Sequence, residues 1–89
     1  MLVLPTALTH EVAAGFFQTL PLSVQSQTGA VVVDASALQT FDSSALAVLL
    51  ACRRESLAAG KIFSVQGLSP RLRQLATLYG VAELIPPPA

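Results

Sequence analysis

Residues 31–57, VVVDASALQTFDSSALAVLLACRRESL, limit what this chain can fold into more than any other stretch. They read as a buried strand, a short polar loop and a long helix. Val31, Val32 and Val33 are β-branched and apolar without alternation, the pattern of a strand covered on both faces, and Asp34 ends the run. A helix is predicted over residues 43–59, opened by Asp42-Ser43-Ser44 and stopped by Gly60. Asp42 is the expected N-cap, because its carboxylate can accept from the free amides of the first turn. Ser43 falls at the first helical position, with its hydroxyl near the positive end of the helix dipole. A hydroxyl there can carry or meet a negative group, including a phosphoryl group. The plainer reading of Ser43 and Ser44 is that serines suit the first turn of a helix.

The faces of this helix raise a second question. Leu46, Leu49, Leu50 and Leu57 mark its core stripe. Ala47, Val48, Ala51 and Cys52 make much of the other side apolar, where a surface helix is normally polar. Polarity returns only at Arg53, Arg54 and Glu55. Either the N-terminal half of the helix docks on a partner, or another helix of the same domain covers it; the pattern leaves both open. A chain that is 53% apolar and only 11% charged leads us to expect a partner face.

The remaining segments suggest strands alternating with helices. Residues 1–4 form a short apolar run stopped by Pro5, a strand confined to an edge or an end. Thr9 can cap a helix running to about Leu20, with Glu11 in its first turn and Ala13, Phe16, Phe17 and Leu20 at helical spacing. Pro21 is expected to close it, and residues 23–29 read as a polar linker. KIFSVQ, residues 61–66, alternates like a strand. Ser69 and Pro70 open a helix with Leu72, Leu75, Ala76 and Tyr79 on its buried face and Arg71 and Arg73 outward. Gly80 ends it, residues 81–85 read as a last short strand, and residues 86–89 as a frayed Pro-rich tail. Such alternation implies parallel pairing with helices as crossovers. At 89 residues the chain suits one small domain.

Several function classes are disfavoured. Five basic residues balance five acidic ones without a basic stripe, which argues against nucleic acid as a partner. Cys52 stands alone, so no internal disulfide or metal cluster is expected, and it reads as a small buried apolar residue. The opening MLVLPTALTH has no basic n-region of a secretory signal. The longest apolar run, residues 45–52, falls far short of a membrane span. These features predict a cytoplasmic protein without direct membrane insertion. No G-x-S-x-G surrounds Ser43, the sole histidine, His10, is remote in sequence, and no Gly-rich phosphate loop occurs. We expect no catalytic residue and no cofactor.

The segments VVVDAS, DSSALAVLL and KIFSVQGLSPRLRQLATLYGV resemble a STAS domain over residues 30–85. The ending at Leu78-Tyr79 is similar to the MlaB branch, the STAS subunits of phospholipid-transport ABC complexes, more than to the anti-sigma-factor antagonists. The resemblance implies an α/β fold: a single STAS domain over residues 1–89, with a small mixed sheet of about four strands and helices mainly on one face. It implies a non-enzymatic accessory subunit in intermembrane lipid trafficking and outer-membrane lipid asymmetry. Such a subunit contacts the transporter's ATPase, and through it a membrane permease, at the cytosolic face of the inner membrane. Ser43 is the regulatory position, and the expected contact residues are Asp42, Ser43, Ser44, Ala47, Ala51 and Arg54. The alternative is an antagonist in which a kinase phosphorylates Ser43 and the charge switches binding off. Two departures speak against it: Ala45 stands where antagonists usually carry Gly, and only residues 1–4 are available for their N-terminal hairpin. The same apolar face can also pair two copies of the chain.

Overall fold

The computed structural model describes residues 1–88. In chain order the elements are β1 (Leu2–Val3), β2 (Ala7–Leu8), α1 (His10–Ser26), β3 (Val31–Asp34), β4 (Thr40–Phe41), α2 (Ser43–Ala58), β5 (Phe63–Gln66), α3 (Pro70–Leu78) and a 3-10 turn (Ala82–Leu84). β1, β3 and β5 form a three-stranded sheet in that order, and β2 pairs with β4; every pairing is parallel. This is the small α/β fold of few strands expected, with its five short strands divided three and two.

Register decides where the core lies. Leu2, Val33 and Val65 stand side by side across the sheet, as do Val31 and Phe63, and all five are buried. α2 packs against β5 on one side and α1 on another. The opposite row carries Val3, which is 61% exposed, the half-buried Val32, Asp34 and Gln66, and the buried Ser64 beside Val32. The second face of the valine run is therefore only partly covered, where its lack of alternation suggests full cover on both.

The N-terminal run makes two strands that do not pair with one another. β1 joins β3 and β2 joins β4, with the Thr6 carbonyl between them accepting from the amides of Gln39 and Thr40. The first helix runs straight through Pro21 to Ser26, so most of the expected linker is helical. Proline leaves the Phe17 carbonyl without its usual helix donor, and Phe17 lies on the exposed side of the helix, 37% accessible. The buried stripe of Ala13 and Leu20 continues past the proline at Val24, which is 1% exposed. Lys61 secures the far end. Its ammonium donates to the carbonyls of Val24 at 2.8 Å and Gln25 at 3.3 Å, and to that of Gln27. A cation on the free carbonyls of a helix C-terminus is favourable for both hydrogen bonding and dipole. This task takes Lys61 out of β5, which begins at Phe63.

α2 ends at Ala58, and Gly60 turns the chain at φ +72°. The expected last strand over residues 81–85 is instead the 3-10 turn, which drives Ile85 fully into the core. The next carbonyl, on Pro86, accepts from Val65 N at 2.8 Å along the open edge of β5. Residue 89, the end of the expected tail, lies outside the described residues. Gly67, at φ +72°, brings the exit of β5 against the loop after β3: a Cβ there would stand 2.8 Å from Ser36 Cβ and 2.9 Å from Ser36 N.

Candidate docking face

Asp42 works as the expected cap and does more. Its Oδ1 accepts from Ser44 N at 2.8 Å, closing the first turn of α2. Its Oδ2 accepts from His10 N at 3.0 Å, the first residue of α1. One carboxylate thus ties two helix N-termini together, in keeping with the preference of both dipoles for negative charge. Thr9 occupies the cap position of α1, but its side chain makes no capping bond. The amide of His10, then that of Ser44, holds the Asp42 carboxyl below its ordinary 3.8.

A depressed carboxylate stabilises the fold fully above its unfolded value, and that stability is lost as pH falls through the lower folded value. We therefore expect stability to drop below about pH 4. Asp42→Ala, which removes both bonds, should lower Tm by roughly 5–10 °C at neutral pH. Thermal melts at pH 7 and pH 3 check this: the gap between variant and wild type should narrow in acid.

The burial of α2 resolves its faces. Ala45, Leu46, Val48, Leu49, Ala51, Cys52 and Ser56 are buried, whereas Leu57 is 52% exposed. The core stripe is thus wider than the four leucines and shifted from them, because α1 covers the side bearing Val48 and Cys52. Ala51, expected as a contact residue, is 5% exposed and belongs to the core, so it is removed from the docking set. Burial also raises the Cys52 thiol to about 11, which leaves it unreactive at neutral pH.

The exposed stripe is Ser43, Ala47, the half-buried Leu50, and Arg54. Ser44 is half-buried beside it with its amide held by Asp42. Ser43, Ala47 and Leu50 of this stripe, together with Leu46, form one wall of an open groove of about 240 Å³, and Tyr79 and Val81 form the other. Tyr79 was expected in the core; it is 59% exposed and faces this groove instead. The groove is smaller than small-molecule pockets of roughly 300–1,000 Å³. It suits one or two apolar side chains of a partner. Nothing in the local sequence marks the second wall, since Tyr79 and Val81 reach it only through the way α3 ends.

Two neighbouring contacts stiffen the surroundings. Asp34 Oδ1 accepts from Ser36 N at 3.0 Å, which fits a strand-ending residue that satisfies a loop amide. The Arg71 guanidinium lies over the Phe41 ring, 5.0 Å from its centre, tying the start of α3 to the residue before Asp42.

A family model described as "Mlab, STAS domain" matches residues 1–86. The chain belongs to this family. In this MlaB-type STAS domain, the Asp42-Ser43-Ser44 corner and the groove beside it lie at one end of the α2 helix. A comparison with curated proteins found no match. No helix among the described residues is long and apolar enough to cross a membrane. Among the described residues no group of three or more His, Cys, Asp or Glu could hold a metal ion.

Proposed function

We propose that this protein is a non-enzymatic accessory subunit of an ABC-type phospholipid transporter, acting in lipid trafficking between membranes. It docks on the cytosolic ATPase subunit, and through it on the permease, by the face made of Ser43, Ala47, Leu50 and Arg54 with Asp42 and Ser44 at its start. The observation that carries the reading is the open apolar groove beside Ser43 on a domain of the MlaB-type family. STAS domains of this kind serve as regulatory or accessory modules, and a groove of side-chain size fits protein contact better than catalysis.

Mechanically, the domain offers a rigid surface. Asp42 locks the N-termini of α1 and α2, so Ser43 is presented from a fixed backbone. Little ordering is then needed on binding, which favours affinity. Ser43 stands at the groove rim, where an added charge would have to be desolvated in the complex. We expect Ser43→Asp to weaken ATPase binding by about tenfold or more. Ser43→Ala should bind within about threefold of wild type. Both affinities can be measured on the ATPase recovered with tagged protein from native cells. Recovery of an ABC ATPase with its permease supports the reading. Recovery of a small soluble kinase, with phosphate on Ser43, would replace it by the sigma-regulation alternative.

A further inference from the structure

The two parts of α1 on either side of Pro21 are held very differently. Before the proline, Ala13 and Leu20 are buried, and the first residue, His10, is tied to Asp42. After it, only Val24 of residues 21–27 is buried; Leu22 is 75% exposed, and Gln25 and Ser26 are also exposed. Between the two parts the helix ladder is interrupted, since Pro21 has no N–H to give the Phe17 carbonyl. The last turn carries no basic residue of its own to meet its free carbonyls.

Lys61 supplies that cation from across the fold. An ammonium has three donors, and here all three are placed, on the carbonyls of Val24, Gln25 and Gln27. The lysine itself is fixed by its backbone. Lys61 N donates to Ser56 O at 2.9 Å, which joins it to the end of α2. The next carbonyl, on Ile62, accepts from Val31 N at 2.7 Å, which joins it to β3. One side of this contact is therefore anchored in the sheet and α2, and the other side is a nearly unburied turn of helix.

We propose that residues 22–27 are a strap that opens as one unit about Pro21 while the rest of the fold stays closed, and that the Lys61 ammonium is its latch. Opening exposes one core side chain, Val24, and crosses a point where the ladder is already broken. Such a segment lies at the low end of the range of local stabilities in a folded chain. Ser26 and Gln27, with Thr28, line a recess beside Met1, Ala30 and Val32. An open strap therefore also unmakes that recess. The proposal is independent of the docking face.

Native-state hydrogen exchange on the full chain tests it, residue by residue. In wild type, exchange at the amides of Val24, Gln25, Ser26 and Gln27 should change little in low denaturant, because opening the strap exposes little surface. Exchange at Val31 and Val33 should rise steeply, because it needs global unfolding. Lys61→Met keeps an apolar stem and removes the ammonium. It should speed exchange at residues 24–27 by about tenfold or more, and leave the amides of residues 14–20 and of α2 within about threefold of wild type. Pro21→Ala restores the missing helix bond and should slow exchange at residues 24–27. Equal acceleration at every slow amide in Lys61→Met would make the lysine a support of the whole fold and overturn the strap. Unchanged exchange at residues 24–27 in that variant would overturn the latch. A steep denaturant dependence at these amides in wild type would show that they open only with the whole molecule, and would overturn the proposal without any variant.

Discussion

Ala51→Glu should unfold this protein, and Ala47→Glu, one helical turn away, should not. Ala51 is 5% exposed between α2 and its neighbours, whereas Ala47 lies open on the groove wall. A carboxylate at position 51 enters the core without a partner, which costs about 3–5 kcal/mol. A chain of this size has a total stability of about 4–13 kcal/mol. Ala51→Glu should therefore lose most of its cooperative melt. Ala47→Glu should melt within a few degrees of wild type and lose partner affinity by about a hundredfold. Calorimetry and a binding assay on the same two samples check both halves. A folded Ala51→Glu, or an unfolded Ala47→Glu, would mean that the faces of α2 are assigned the wrong way round.

Gly67→Ala carries the second large effect. The residue is at φ +72°, where a side chain costs about 1–2 kcal/mol. The added Cβ would also meet Ser36 Cβ at 2.8 Å and Ser36 N at 2.9 Å, and backbone cannot swing aside as a flexible side chain can. Overpacking adds about 1–3 kcal/mol, for a fall in Tm of about 10–25 °C. Gly29→Ala is the matched control. It has φ +76° and nothing within 4 Å of its Cβ, so only the conformational cost remains, about 5–10 °C. Equal losses at the two sites would show that the contact with Ser36 is not tight.

What the sequence made legible follows from where the determinants lie. The strand–loop–helix joint around Asp42 is local, and its cap, its strand and its helix are encoded within a few residues of each other. Ser69 and Pro70 opened α3 for the same reason, with Ser69 Oγ accepting from Leu72 N at 3.2 Å. The errors lie where a distant residue intervenes. Pro21 reads as a stop because an interior proline removes a helix hydrogen bond, yet α1 continues to Ser26, where Lys61, far along the chain, takes up the carbonyls of Val24 and Gln25. The pattern left open whether a partner or another helix covers the side of α2 bearing Val48 and Cys52; both residues are buried and α1 packs on α2, so the cover comes from within the domain. Tyr79 has the spacing of a core residue, yet α3 ends before its ring can reach the core. Val24 was the signal available for α1, since it extends the stripe of Ala13 and Leu20 past the proline.

The most direct test of the docking claim is photo-crosslinking from position 47 in living native cells. A photoreactive amino acid replaces Ala47, and the crosslinked product is identified by mass spectrometry. The account predicts a crosslink to an ABC ATPase subunit, and none from a control placed at the exposed Val3 on the opposite face of the sheet. Crosslinks to the ATPase from Val3 but not from position 47, or from position 47 only to a soluble kinase, would contradict it.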